Sequence, residues 1–316
     1  MTTIAPLGLH HVTAIASDPG RNVEFYTRVL GLRLVKQTVN FDDPGTYHLY
    51  YGDEHGSPSS LITFFPWKDV ERGRQGTGLA TSTAFSVPGS SLSFWHDRLR
   101  ALNVRVDDPV TRGDDEVLRL YDHDGMVLDL VASDGDTRSG WDGVGSIPAE
   151  HAVRGLHSVT LTEKTLDATA ELLTGRMSMT VASEASGSAR FAMSSGGAGA
   201  LVDVAADRAD KGLQAGGTVH HVAFRAPDHE TLTAWRAELL DSGAHVTEIL
   251  DRQYFQSIYF REPGGVLFEI ATEAPGFDVD EPLLELGKSL KLPPWLEPTR
   301  EQIQQNLPAL PPSDES

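Results

Sequence analysis

With twelve histidines and no cysteine, any metal held by this 316-residue chain must rest on imidazole and carboxylate donors. Two histidine pairs stand at strand-like positions: "GLHHVTAIASDP" from Gly8 and "GTVHHVAFRAPD" from Gly217. A related stretch from Gly155, "GLHSVTLTEKT", has serine in place of the second histidine. Side chains alternate along a strand, so His11, Thr13 and Ile15 share one face, and His10, Val12 and Ala14 share the other. His221 takes a similar place in its own strand, with Ala223 and Arg225 beside it. In "GGVLFEIAT", Val266, Phe268 and Ile270 form a bulky apolar face, and Glu269 projects opposite them with Leu267 and Ala271. A carboxylate on a central strand is costly to bury unless a cation meets it. Two imidazoles and one carboxylate make the facial triad of non-haem Fe(II) oxygenases, which leaves positions open for substrate and O2. The plain alternative is a set of structural strand histidines.

The elements that must position these residues are repeated. "TSTAFSVPGSSLSFWHDRLRALNVRV" from Thr81 aligns with "HHVAFRAPDHETLTAWRAELLDSGAHV" from His220, and "YDHDGMVLDLVAS" with "FREPGGVLFEIAT". Four units result, near 8–65, 80–133, 155–204 and 218–273, each reading as strand, helix and further strands. Asp18-Pro19 starts the first helix, Val23, Tyr26, Val29 and Leu30 form its stripe, and Gly31 ends it. In the fourth unit the helix runs from Thr231 to Leu240. The fold class is α+β: four βαβββ modules paired into two half-barrel-like domains. By sequence the chain divides into halves 8–150 and 151–275 and an extended tail, 276–316, that docks Trp295 and ends in disorder.

The altered copy limits the number of metal sites. The third unit has Ser158 at the position of His11, and the second has Thr81 and Ser82 where the fourth has His220 and His221. Asp129 matches Glu269 but lacks histidine partners. One site is therefore expected, with ligands from the first and last units. Those units must then be neighbours, leaving the second and third to pair with each other.

These features together resemble the vicinal oxygen chelate superfamily, which includes glyoxalase I, bleomycin-resistance proteins and extradiol dioxygenases. Within it, the chain resembles ring-cleaving dioxygenases acting on hydroquinones. "LHHVT", "VKQTVNFDDPGTYHLYYGDEHGSPSSLITFFPW", "RGLHSVT", "HHVAF" and "RQYFQSIYFREPGGVLFE" carry the likeness in order along nearly the whole chain. It implies an extradiol-type dioxygenase that inserts both atoms of O2, with Fe(II), or alternatively Mn(II), on His11, His221 and Glu269. It also implies substrate-handling roles for Arg252 and Tyr259, with His10, Thr13 and His220 nearby. If Phe260 pairs with Val266, Ser257 lies opposite Glu269 and Tyr259 follows on the same face. Strict alternation turns His10 and His220 away from the ligands, either to support them from behind or as structural histidines. Thr13, on the ligand face, could orient a water or a substrate oxygen. Arg252 reads either as a solvated arginine or as a group closing over an anionic oxygen.

Three rivals follow from the same residues: a catechol extradiol dioxygenase, a glyoxalase-type metal-dependent isomerase, and a metal-free binding module. The net charge of −19 disfavours nucleic acid as a partner. No apolar run approaches a membrane span, and "MTTIAPLG" lacks the features of a secretory signal, so the cytoplasm is the expected compartment. The expected partners are a small aromatic and O2, and the exposed sheet edges of such folds allow a homo-oligomer.

Overall fold

Local signals for strands and helix ends are realised in a computed structural model, which describes residues 5–143 and 145–311. The first unit comprises β1 (Leu9–Ala16), α1 (Pro19–Glu24), β2 (Arg33–Asn40), β3 (Asp43–Gly52) and β4 (Leu61–Pro66). Asp18 caps α1, accepting from the Arg21 amide at 2.8 Å. The helix runs on as a π turn, Phe25–Val29, in which the Leu30 amide donates to the Phe25 carbonyl. It stops at Gly31, whose φ of +72° is one that glycine adopts without strain.

The second unit holds β5 (Leu79–Val87), α2 (Leu92–Ala101), β6 (Val110–Arg112), β7 (Asp115–Tyr121) and β8 (Val127–Ala132). The third holds β9 (Gly155–Glu163), α3 (Asp167–Glu171), β10 (Thr180–Ala185), β11 (Ser188–Ala192) and β12 (Leu201–Ala206). The fourth holds β13 (Thr218–Ala226), α4 (His229–Asp241), β14 (Leu250–Asp251), β15 (Gln256–Arg261) and β16 (Leu267–Thr272). All four repeat the βαβββ order read from the sequence.

Two curled, eight-stranded sheets result, and neither is confined to one half of the chain. One runs β14-β15-β16-β13-β1-β4-β3-β2 and the other β10-β11-β12-β9-β5-β8-β7-β6. The first and last units therefore share a sheet, as the one-site argument required, and the middle two share the other. β1 and β13 meet antiparallel at the centre, flanked by β4 and β16, each parallel to its neighbour. Apolar side chains from one face of each strand pack under the helices, with Trp95 and Trp235 fully buried on α2 and α4. Residues on the opposite face of the first sheet are free to build a cleft.

Two charged features lie outside that cleft. Lys36 on β2 is wholly buried, and its Nζ meets Asp280 at 2.6 Å, Glu281 at 2.5 Å and the Phe277 carbonyl at 3.0 Å. These bonds pin residues 277–281 across the sheet, and a further helix, α5 (Arg300–Asn306), buries Ile303 beyond them. Trp295 is half exposed and packs edge-on against Phe41, with ring centroids 5.7 Å apart. Residues 312–316, the end of the expected tail, lie outside the described residues. At the junction of the two sheets, Glu163 and Glu262 are both 2% exposed, and a Cβ at Gly264 would stand 1.9 Å from Glu163 Oε2. Burial first, and then the Glu262 carboxyl, pushes Glu163 up to about 8.

Candidate metal centre

His11 on β1, His221 on β13 and Glu269 on β16 converge from three adjacent strands. Nε2 of His11 lies 3.3 Å from Nε2 of His221, and these atoms lie 3.2 and 2.8 Å from Glu269 Oε2. All three side chains are at most 4% exposed. Ligand atoms about 2.1 Å from a cation and at right angles to one another stand about 3 Å apart, so the spacing fits three cis positions. Neither buried Glu269 oxygen accepts a hydrogen bond, although both imidazoles are close. Burial works to raise the Glu269 carboxyl, but the two imidazoles outweigh it and hold it well below the usual range.

The neighbouring histidines determine which ring nitrogens face the centre. His10 Nε2 lies 3.1 Å from the Thr272 carbonyl, which only an N–H can approach, so its Nδ1 is a bare acceptor. Burial, then His11, lowers His10 to about 3, so the ring is neutral. His10 Nδ1 sits 2.9 Å from His11 Nδ1, so His11 donates there and turns its Nε2 toward Glu269. His220 repeats the contact with His221, Nδ1 to Nδ1 at 2.8 Å. Burial, then His221, lowers His220 to about 3 as well. Two imidazole nitrogens and a carboxylate thus converge on one point, an arrangement that a cation satisfies. Among the described residues, this is the one group of three such side chains with metal-ligand spacing.

Strict alternation would turn His10 and His220 toward the helices, and the structure overturns that expectation. In the β1–β13 ladder Leu9 pairs with Phe224 and His11 with Ala223, so His10 is an extra residue. Thr13 pairs with His221 and Ala14 with Val219, so His220 is another. Both are β-bulges, which re-aim a side chain and bring adjacent histidines together. A second correction concerns β15 and β16. Tyr259 itself pairs with Glu269, and Ser257 with Ala271, because Arg261 and Leu267 close a longer turn than expected.

A cavity of about 450 Å³ opens in front of His11 and His221. Phe41, Phe65, Trp67 and Phe255 give it aromatic walls, and Tyr259, Arg252 and His220 reach into it. The Tyr259 ring stands 5.6 Å from that of His221. Burial, then Glu269, raises its phenol well above the usual range. Arg252 is only partly exposed: Nη1 donates to Asp42 at 3.0 Å, the guanidinium lies 5.2 Å from the Tyr259 ring, and Nε is buried without a partner. Thr13 is fully buried behind the wall, its Oγ1 2.7 Å from that of Thr63. His48 and Tyr50, which the sequence reading left outside the site, also line the cavity. Their two-residue spacing on β3 was the available signal.

The second sheet shows what becomes of the same positions without histidines. Asp129 pairs with Arg119 as Glu269 pairs with Tyr259. Arg119 donates to it at 2.8 and 3.0 Å, Arg112 at 3.0 Å and Ser82 Oγ at 2.7 Å. Guanidinium groups occupy the place a cation would take, so the second sheet offers no equivalent cluster among the described residues.

Comparison with known proteins agrees with this geometry. The chain is 45% identical over 303 residues to "Putative ring-cleaving dioxygenase MhqE" of Bacillus subtilis, covering 96% of this chain and 99% of that protein. It is 32% identical over 306 residues to a chlorohydroquinone/hydroquinone 1,2-dioxygenase of Sphingobium indicum, covering 94% of each. A crystal structure titled "putative dioxygenase" from Bacillus subtilis superposes with a TM-score of 0.94 at 39% identity, over 98% of this chain and 99% of that one. No helix among the described residues is long and apolar enough to cross a membrane. Residues 8–130 and 155–270 match one family description, and on that match the chain belongs to the Glyoxalase/Bleomycin resistance protein/Dioxygenase superfamily.

Proposed function

We propose that the chain is a metal-dependent ring-cleaving dioxygenase acting on a hydroquinone-type aromatic and O2, with Fe(II) as its metal and Mn(II) as the alternative. The observation that carries this reading is the triad of two imidazole nitrogens and a carboxylate facing an aromatic-walled cavity of single-ring size or larger. His11, His221 and Glu269 would hold the ion. When bound, it supplies Lewis acidity toward a ring hydroxyl and redox chemistry toward O2. His10 and His220 keep the ligand imidazoles in the tautomer that leaves Nε2 free. Arg252 supplies fixed positive charge beside the open face, suited to an ionised ring oxygen. Tyr259, held protonated, is placed to donate a hydrogen bond there. Phe65 and Phe255 keep the ring in place and exclude water.

The test is O2 uptake by protein purified without oxygen and supplied with Fe(II) or Mn(II), comparing hydroquinone with catechol. Hydroquinone-dependent uptake is expected, together with metal content that His11→Ala, His221→Ala and Glu269→Ala each abolish and Asp129→Ala leaves intact. Uptake with catechol alone would favour the catechol extradiol reading. Thiol-adduct turnover with zinc or nickel would favour an isomerase. Full activity in any of the three alanine variants would remove that residue from the centre.

A further inference from the structure

Beyond the triad, the cavity has a second polar region of different character. The Tyr50 hydroxyl is 2.8 Å from His48 Nδ1, His48 Nε2 is 2.8 Å from Thr63 Oγ1, and Thr63 Oγ1 is 2.7 Å from Thr13 Oγ1. Four side chains on β3, β4 and β1 thus form one continuous hydrogen-bonded chain. Thr13, Thr63 and Tyr50 are at most 1% exposed, while His48 and Tyr50 lie on the cavity wall. Phe65 joins the two regions, its ring 4.4 Å from His48 and 5.5 Å from His220. Tyr50 is braced from behind by Phe277 at 5.1 Å.

Burial, followed by the facing His11 and His221, lowers His48 well below its ordinary range, and burial raises Tyr50 well above its own. Both are therefore uncharged. Hydroxyls and a neutral imidazole in series can reverse their protons together, so the chain can donate to an uncharged hydroxyl or accept from it. It cannot balance an anion, which Arg252 can. The cavity thus offers a charged side for one ring oxygen and a neutral side for another.

We propose that the Tyr50 hydroxyl, the cavity end of this hydrogen-bonded chain, binds the second ring hydroxyl, the one not directed at the triad, and so selects aromatic diols over phenols with a single free hydroxyl. The proposal rests on the reading of the cavity as an aromatic-diol site. His48, Thr63 and Thr13 are positioning residues: both His48 ring nitrogens are engaged within the chain, and Thr63 and Thr13 act by holding His48.

Anaerobic titration measures this without turnover, comparing p-hydroquinone with p-cresol, in which a methyl group replaces one hydroxyl. The parent protein should bind hydroquinone about tenfold more tightly, the worth of one hydrogen bond to a buried polar group. Tyr50→Phe, which keeps the ring against Phe277, and His48→Leu should each bring the two affinities within about twofold of each other. Thr63→Val should fall between, since it breaks the chain at the far side of His48 from Tyr50. A parent with no preference, or one that binds neither compound, overturns the proposal. So does a preference that survives both Tyr50→Phe and His48→Leu. O2 uptake on the same samples separates the two readings. Preference without diol-dependent uptake leaves this selection standing and removes the dioxygenase; uptake without preference does the reverse.

Discussion

Replacing Glu163 with glutamine should make the protein more tolerant of mildly alkaline conditions. Glu163 and Glu262 face each other with almost no exposure where the two sheets meet, and burial with mutual repulsion pushes Glu163 up to about 8. In the unfolded chain the same carboxyl titrates at an ordinary value. Between that value and about 8, the folded protein keeps a proton that the unfolded chain has released. Stability contributed by the protonated pair is therefore fully present below the unfolded pKa and is lost as pH rises through the folded one. One proton corresponds to at most about 1.4 kcal/mol per pH unit. Allowing for the sharing of charge between two carboxyls, the parent should lose about 2 kcal/mol between pH 6 and 8. Glutamine has no proton to surrender and can still donate to Glu262. Urea unfolding of parent and Glu163→Gln at half-unit pH steps measures the difference directly. The two stability curves should converge at acid pH and separate progressively above about pH 5, once the unfolded chain has released its proton. Parallel curves from pH 6 to about 8.5 would refute the claim that this pair holds a proton in the folded state.

Further outcomes follow from other buried charges. Arg119→Leu should cost about 1–3 kcal/mol in urea unfolding, because Asp129 keeps Arg112 but loses its two-pronged partner. Lys36→Met leaves Glu281 buried without its main cation, and a loss of about 3–5 kcal/mol is expected. Limited proteolysis should then cut between residues 277 and 300 while the sheets resist. His10→Leu should weaken metal retention about 10–100-fold in a chelator competition, since His11 loses the acceptor that sets its tautomer. Unchanged retention would leave the bulge as a packing feature.

The convergence of His11, His221 and Glu269 was legible because strand alternation is local and the repeats offered an internal control: Ser158, Ser82 and Asp129 marked positions without such partners. From that contrast the pairing of first with last unit followed, and the sheet order agrees. For His10 and His220 the sequence left two readings open, support of the ligand histidines or a structural role, because a bulge exists only relative to a partner strand and no pattern within "LHHVT" or "VHHVAF" records one. The offset of Tyr259 against Glu269 had the same origin, since turn length sets register and "REPGG" admits more than one closure. His48 and Tyr50 were overlooked because "YHLYYGD" reads as an ordinary β-rich run until β4 brings Thr63 alongside. Lys36 gave no warning either, as its partner Asp280 lies 244 residues away in sequence.

The first sheet joins the opening and closing quarters of the polypeptide. His11 leaves the ribosome 210 residues before His221, and Glu269 comes later still. During synthesis β1 must therefore wait, its apolar face without its central partner, while the second and third units emerge and can already pair into the other sheet. The three side chains can meet only once β16 has emerged, so a ribosome stalled before that strand would carry two imidazoles still without the carboxylate that completes the cluster.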